Sequence, residues 1–275
     1  MTENQDQRPR IAVWKFTSCD GCQLSLLGCE DELLAVSEAV RFAYFLEATS
    51  STSPGPYDVS LVEGSISTPG ELERIQRIRD ESKVLVALGA CATGGGIQAL
   101  RNFADVREFT SIVYARPEYI TTLDTCTPIS DHVEVDLELR GCPVDKGQLI
   151  QVLSDLLAGR DVALDSGPVC LECKRRGNSC VMVNRALPCL GPVTHGGCGA
   201  LCPSFDRGCF GCFGPADTTN TAALTDRLAT LGMDEIAIER IFHTFAADTP
   251  AFRDVGRGTG AESLAGTAQN RKETP

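Results

Sequence analysis

Eight of the chain's 14 cysteines lie between Cys170 and Cys212, in a segment without a sustained hydrophobic period. The segment is also rich in glycine and proline, so it lacks the apolar side chains that build an ordinary core. Such a segment needs another source of order, for example bonds between its thiolates and a metal. The sequence therefore predicts an irregular domain organised around metal centres.

These eight cysteines divide into two groups of four. The first has the spacing C-x2-C-x6-C-x8-C and the second C-x3-C-x6-C-x2-C; the members are Cys170, Cys173, Cys180 and Cys189, then Cys198, Cys202, Cys209 and Cys212. Four thiolates suit either zinc or an iron–sulfur cluster. Zinc sites of this type often join two C-x2-C pairs through a spacer, whereas here four further cysteines separate the two pairs. The spacing favours iron–sulfur clusters and leaves zinc open.

The first 165 residues alternate between strand-like and helix-like segments. Strands are predicted in "RIAVWKF", "YDVSLVEGSI" and "KVLVALGAC", and helices over residues 22–46, 68–82 and 148–157. This alternation predicts an α/β domain with a parallel sheet and helices on both faces. Ligands of such folds bind outside the carboxyl ends of the strands.

Four earlier cysteines fall at predicted strand ends. Cys19 and Cys22 follow the first strand, Cys91 ends a later strand, and Cys142 precedes a helix. We expect the four to converge at one edge of the sheet. A thioredoxin-like redox pair would also use the C-x-x-C, but it leaves Cys91 and Cys142 unexplained.

Composition narrows the classes of function. The net charge of −12 argues against binding to nucleic acid or to an anionic membrane. No export signal is evident and no apolar run is long enough to span a membrane, so we expect a cytoplasmic protein whose thiols are reduced. The two remaining cysteines, Cys29 and Cys126, are expected to be ordinary small structural residues.

The order of the motifs "CDGC", "VEGSI", "GACATGGG", "RGCP", "CLGPVTHGGC" and "GCFGC" resembles the small, electron-transfer subunit of nickel–iron hydrogenases from Ile11 to Phe245. The resemblance implies a flavodoxin-like domain over residues 1–165 and a two-cluster domain over 166–250. It also implies three [4Fe–4S] clusters. Their ligands would be a proximal set (Cys19, Cys22, Cys91, Cys142), a distal set (Cys170, Cys173, Cys180, Cys189) and a medial set (Cys198, Cys202, Cys209, Cys212). The polar residues 251–275 are expected to form a flexible tail.

Two departures indicate the branch of this family. Cys170 stands where the periplasmic branch has histidine, and Cys202 offers a fourth medial ligand where that branch commonly has three. The sequence is similar to the delta subunits of cytoplasmic NAD(P)-linked hydrogenases, also called sulfhydrogenases. The resemblance implies reversible relay of electrons from H2 oxidation to a flavin- and NAD(P)-binding reductase.

The implied partners are a large subunit with the Ni–Fe centre, a flavin- and NAD(P)-binding subunit and a further iron–sulfur subunit. This chain contains no G-x-G-x-x-G fingerprint, so we expect the nicotinamide chemistry in a partner. It also contains no plausible Ni–Fe ligand set, so we assign no catalytic residue to it. Two alternatives stay open, namely an iron–sulfur subunit related to respiratory complex I and a zinc-stabilised interaction module without redox activity.

Four other features have competing interpretations. Glu63 would line the proximal site or be a loop carboxylate bonded to backbone N–H groups. His195 is expected at solvent or at an interface. Trp14 is expected to pack in the core, and the glycines at 94–96 to let the backbone approach a cluster or helix.

Overall fold

The computed structural model describes residues 8–164 and 166–256. Its first part is built on one parallel sheet with the order β2-β1-β3-β4-β5. The strands are β1 (Arg10–Lys15), β2 (Arg41–Phe45), β3 (Tyr57–Glu63), β4 (Ser82–Leu88) and β5 (Leu137–Leu139). This is the flavodoxin-like strand order, which confirms the predicted α/β class.

The central strands are apolar on both sides because helices cover both faces of the sheet. One cluster of buried residues, including Leu61 and Leu139, packs under the helical residues 21–39 and 146–157. A second cluster, including Val62 and Ile75, packs under the helix over residues 69–80. The pairing places Lys15 opposite Glu63 and Glu63 opposite Leu88. The carboxyl ends of the three central strands therefore lie at one edge.

Among residues 8–164, six helices accompany the sheet. They are α1 (Gly21–Leu27), α2 (Asp31–Ala39), α3 (Pro69–Asp80), α4 (Gly89–Gly94), α5 (Val106–Val113) and α6 (Lys146–Leu157), with 3-10 turns at Ile97–Phe103, Pro117–Tyr119 and Ile129–Asp131. Helix α3 begins with a capping box, since the Thr68 side chain accepts from the Glu71 N–H and the Glu71 carboxylate accepts from the Thr68 N–H.

The prediction of one helix over residues 22–46 is wrong, because the segment forms two helices and then a strand. Helix α1 ends at Leu27, α2 ends at Ala39, and Arg41–Phe45 forms the edge strand β2 beside β1. In β2 the buried residues Ala43 and Phe45 alternate with more exposed ones. Phenylalanine and tyrosine favour strands, and pairing with β1 decides the conformation.

The second part of the chain is irregular near its cysteines and helical afterwards. Its helices are α7 (Val169–Arg175), α8 (Val181–Asn184), α9 (Leu201–Ser204), α10 (Thr221–Thr230), α11 (Glu235–Phe242) and α12 (Pro250–Arg253). Ile238 and Phe242 of α11 are buried with Phe252 of α12. Packing thus extends into residues 251–275, the segment expected to be a flexible tail. Residues 257–275 of that segment lie outside the described residues.

Side chains join the two parts of the chain. The Arg140 guanidinium donates to the Pro215 carbonyl at 2.8 Å, and the Asn102 amide donates to Asp248 at 2.7 Å. The Phe103 ring stacks on His243 with 4.6 Å between ring centroids. Over residues 8–164 and 166–256, no helix has both the length and the apolar character to cross a membrane.

Candidate metal centres

The proximal set lies at the carboxyl edge of the sheet. Cys19 is in the loop after β1, Cys22 in the first turn of α1, Cys91 in α4 directly after β4, and Cys142 just after β5. Four cysteines spread over 124 positions of sequence therefore reach one edge because their strands are parallel.

Glycines bring the backbone against two of these sulfurs. A Cβ atom on Gly89, whose φ is +82°, would lie 2.3 Å from Cys22 Sγ. A Cβ atom on Gly96, whose φ is +69°, would lie 2.6 Å from Cys91 Sγ. Only glycine gives this close approach at a positive φ, in agreement with the interpretation of the glycine run.

The proximal thiols influence one another's titration. The pKa of Cys142 is raised to about 11, mainly by burial and also by the negative charges of Cys91 and Cys19. The pKa of Cys22 is also raised, first by burial, then by Glu63 and then by Cys91 and Cys142. These partly buried thiols resist ionisation. A bound metal cation or cluster would favour their thiolate form.

Glu63 combines both roles considered for it. Its carboxylate is 2% exposed and accepts hydrogen bonds from the N–H groups of Cys22 at 2.9 Å and Gln23 at 3.2 Å. It also raises the pKa values of three proximal thiols, although burial is the larger cause in each case. Glu63 therefore fixes the first turn of α1 and adds negative charge beside the proximal set.

Gln98 is a neighbour of the proximal set that sequence reasoning missed. Its amide nitrogen donates to the Thr17 carbonyl at 2.6 Å and to Ser65 Oγ at 3.2 Å. These bonds orient its amide oxygen, which accepts from the Cys91 thiol at 3.5 Å. The signal in the sequence was only proximity to the glycine run.

The distal set gathers around α7 and α8. Cys170 and Cys173 lie on α7, Cys180 precedes α8, and Cys189 follows in a loop. The pKa of Cys170 is raised to about 11, mainly by burial and also by the charges of the other three thiolates of this set. A Cβ atom on Gly191 would lie 3.4 Å from Cys189 Sγ and 3.5 Å from Cys170 Sγ. The structure thus brings the four predicted residues together.

The medial set is formed by the loop around α9 and the segment after it. The pKa of Cys212 is raised to about 11, mainly by burial and also by the charges of Cys198, Cys142 and Cys202, while the nearby Cys142 N–H acts in the opposite direction. Cys209 is buried, and its pKa is raised by burial and, less strongly, by Cys189 and Cys212. All four medial residues therefore interact within one region.

Backbone contacts connect the three sets. The backbone N–H of Cys142 in the proximal set lies close enough to the Cys212 sulfur of the medial set to act against the rise in the pKa of that thiol. The Cys209 N–H of the medial set donates to Cys189 Sγ of the distal set at 3.2 Å. The spatial order is therefore proximal, medial, distal.

Glu172 holds the medial loop through backbone hydrogen bonds, as Glu63 holds the first turn of α1. Its two carboxylate oxygens accept from the N–H groups of Gly197 at 2.7 Å and Ala200 at 3.1 Å. It lies between Cys170 and Cys173, so it joins the distal C-x2-C to the loop that carries Cys198. Sequence reasoning did not identify this residue.

The other residues named from the sequence lie outside the three sets. Cys29 is buried and donates to the Ser25 carbonyl at 3.3 Å, while the buried Cys126 sulfur lies 2.9 Å from Ser65 Oγ. The Nδ1–H of His195 donates to the Gly196 carbonyl at 2.7 Å. Trp14 packs in the core, stacked on Tyr44 at 3.9 Å.

The chemistry of the donor sets fits an iron–sulfur cluster. Each set offers four cysteine sulfurs, which is the usual ligand set of a [4Fe–4S] cluster and also suits zinc. Among residues 8–164 and 166–256, no three His, Cys, Asp or Glu side chains are close enough to hold a single metal ion.

Comparison with known proteins places the chain in a family. Residues 19–156 match the family described as NADH ubiquinone oxidoreductase, 20 Kd subunit. Sulfhydrogenase 2 subunit delta of Pyrococcus furiosus is 40% identical over 237 residues, which cover 86% of this chain and 99% of that protein. A subunit of the F420-non-reducing hydrogenase vhu of Methanocaldococcus jannaschii is 31% identical over 237 residues, covering 76% of this chain and 82% of that protein.

A solved structure agrees with these relatives. A chain of an NAD+-reducing [NiFe]-hydrogenase in the H2-reduced state matches with a TM-score of 0.54 and 30% identity, over 57% of this chain and 96% of that chain. The family match ends at residue 156, before the eight late cysteines, whereas the sulfhydrogenase relative is similar over most of the chain. This chain therefore belongs to the family of the 20 Kd subunit of NADH ubiquinone oxidoreductase, in the branch formed by small subunits of nickel–iron hydrogenase complexes.

Proposed function

We propose that this chain is the electron-transfer subunit of a [NiFe] hydrogenase and holds three [4Fe–4S] clusters. The proximal, medial and distal sets would each supply four thiolate ligands to one cluster, as four cysteines commonly do. Cys202 would complete the medial set as its fourth ligand. The domain boundaries near residues 165 and 250 are part of this proposal.

The observation that supports the proposal most directly is the spatial order of the three sets. The Cys142 N–H reaches the medial set and the Cys209 N–H reaches the distal set, so neighbouring sets are separated by little more than one backbone segment. Such contacts suit successive one-electron transfers between adjacent redox centres. A zinc-stabilised interaction module transfers no electrons, so its function would not require the three sites to lie in this order.

When bound, the clusters would supply the one-electron chemistry, and the protein would tune it. Backbone N–H groups donate to ligand sulfurs, for example from Gly211 to Cys209 at 3.5 Å. Such hydrogen bonds stabilise the added negative charge of a reduced cluster and raise its potential, whereas Glu63 opposes that charge at the proximal set. Buried residues beside the sulfurs, such as Val169 and Val181, limit access of water.

The expected partners follow from the order of the sets and from the relatives. A large subunit with the Ni–Fe centre would face the proximal set and split H2. Electrons would leave from the distal set, reversibly, towards a flavin- and NAD(P)-binding subunit, with a further iron–sulfur subunit between them. The structurally similar hydrogenase is NAD+-reducing, which supports this class of acceptor.

The test is metal analysis of the full chain after anaerobic purification or reconstitution. Three four-iron clusters predict about twelve irons and about twelve sulfides per chain, with a broad absorption band near roughly 400 nm. Cys142→Ser should remove about four irons, while the matched control Cys29→Ser should retain about twelve. A colourless chain with stoichiometric zinc would contradict the proposal.

The fourth medial ligand has its own test. Cys202→Ser should convert the medial cluster from four irons to three and give an electron paramagnetic resonance signal in the oxidised chain. Cys126→Ser is the control, because Cys126 lies outside the three sets. An unchanged iron content in both variants would exclude Cys202 as a ligand.

A further inference from the structure

The surface beside the distal set differs in charge from the rest of the molecule. Residues 166–210 contain five basic and two acidic residues, a net charge of +3 in a chain whose net charge is −12. The five basic side chains are all exposed, and we call them the cationic face: Lys174, Arg175, Arg176, Arg185 and Arg207. Positive charge is therefore concentrated where the distal set lies.

The two acidic residues of this segment do not cancel that charge. The Glu172 carboxylate is turned to the N–H groups of Gly197 and Ala200. Asp206 is paired with Arg185, with 2.6 Å between Oδ2 and Nη2. Lys174, Arg176 and Arg207 keep the face positive.

Contacts between segments show that the cationic face is continuous. The Arg176 guanidinium donates to Ser204 Oγ at 3.2 Å, and Arg185 reaches Asp206. The Arg207 guanidinium lies 5.7 Å from the centre of the Phe210 ring. Residues 174–187 and 199–210 therefore lie side by side.

Large apolar side chains are exposed on the same segments. They are Leu171, Val183, Leu187, Leu201, Phe205 and Phe210, and Val183 and Phe205 are each 73% exposed. A cavity of about 230 Å³ opens among Leu187, Pro188, Phe210 and Ile241 and is lined by Cys209 of the medial set. Exposed aromatic and apolar residues mixed with arginine are typical of a protein interface.

We propose that the cationic face docks an acidic electron-carrier protein or domain. The inference rests on the proposed function, because Cys180 of the distal set is exposed at this surface and an electron would leave there. One electron would pass from the reduced distal site to the oxidised cofactor of the carrier, with no bond made or broken. Charge complementarity selects the acidic carrier and accelerates its encounter.

The experiment uses the full chain with clusters reconstituted anaerobically and two probes of opposite charge. A plant-type ferredoxin is the acidic probe and horse heart cytochrome c is the basic one. Affinity is measured by calorimetry at several salt concentrations, and electron transfer from the reduced chain is followed by stopped flow. We expect ferredoxin to bind more tightly than cytochrome c, with an affinity that falls as salt rises.

Charge-reversal variants locate the surface. The double variant Lys174→Glu with Arg207→Glu should weaken ferredoxin binding by roughly tenfold and improve cytochrome c binding. The neutral pair Lys174→Gln with Arg207→Gln should give an intermediate loss and guards against misfolding of the first variant. Arg227→Glu, an exposed change of the same charge on α10, should have little effect.

The outcomes separate this inference from the proposed function. Two results would overturn the docking site even if all clusters were present. One is tighter binding of cytochrome c than of ferredoxin, and the other is a loss of ferredoxin affinity in Arg227→Glu equal to that in the Lys174/Arg207 double variant. A chain without iron that binds ferredoxin in the predicted way would support the docking site and contradict the electron relay. Iron content and affinity are measured independently, so the two failures cannot be confused.

Discussion

The backbone N–H of Cys209 donates a hydrogen bond of 3.2 Å to Cys189 Sγ, which fixes the medial set to the distal set. The two residues are 20 positions apart in the sequence and are both buried. The loop before Cys209 makes this contact possible, because Gly208 packs directly on the Pro188 carbonyl.

Gly208→Ala is predicted to separate the two sets. A Cβ atom at residue 208 would lie 1.8 Å from the Pro188 carbonyl oxygen, so the backbone must move. We expect the iron content to fall from about twelve to about four per chain, with the proximal cluster retained. Gly70→Ala is the control, since nothing lies within 4 Å of its Cβ position. Full iron content in Gly208→Ala would show that the contact is dispensable.

Glu63→Gln is predicted to raise the potential of the proximal cluster. The substitution removes a buried negative charge while keeping an oxygen that can accept from the Cys22 N–H. Because reduction adds negative charge, we expect an upward shift on the order of 100 mV. An anaerobic redox titration followed by electron paramagnetic resonance measures it. Glu73→Gln on the exposed side of α3 should leave the potential unchanged; equal shifts in the two variants would refute a local effect.

Glu172→Ala is predicted to loosen the medial loop. The Gly197 and Ala200 N–H groups would lose their acceptor, and leaving donors unsatisfied costs about 2 kcal/mol in the free energy of unfolding. Chelators should also remove the medial iron faster. Urea unfolding and timed iron release are the measurements. The exposed Glu235→Ala should cost no more than about 0.5 kcal/mol, and a similar cost in both variants would argue against the proposed contact.

Asp136→Asn is predicted to remove a pH-dependent part of the stability. Burial acts to raise the pKa of Asp136, but hydrogen bonds from the Leu85 N–H and Arg79 outweigh it and lower the pKa below its usual value. A carboxylate whose pKa is lowered on folding stabilises the protein above its ordinary pKa and loses this effect as the pH falls through the folded value.

The difference in unfolding free energy between wild type and Asp136→Asn should therefore be about 1 kcal/mol from pH 5 to 8 and shrink below about pH 4. Urea unfolding across this range measures it. Asp217→Asn, at an exposed position, is the control substitution. If the difference in unfolding free energy between wild type and Asp136→Asn grew at low pH, the prediction would be contradicted.

The sheet could be predicted where local sequence decides the structure. Apolar segments that contain several valines predict β3 and β4, and the motif from Thr68 to Glu71 marks the start of α3. Strand β2 could not be predicted in this way, since its apolar residues also fit the period of the helix before it. Its conformation depends on hydrogen bonds to β1. In this pairing Arg41 lies opposite Arg10, which is 31 positions earlier in the sequence.

The grouping of the cysteines was predictable in part and their environment was not. The spacing and the order of motifs suggested three sets of four, and the structure brings the members of each set together. Glu172 and Gln98 carry no motif of their own. Their contacts arise only when a loop 25 residues away, or a turn 81 residues away, folds against them.

The order of the sets along the chain has a consequence for biosynthesis. The distal cysteines precede the medial ones in sequence, yet the medial set lies between the distal and proximal sets. A nascent chain that has grown only to Cys189 already carries every cysteine of the distal set but not the Cys209 N–H that donates to Cys189 Sγ. The distal set therefore acquires this hydrogen bond only after the polypeptide has turned back towards the sheet.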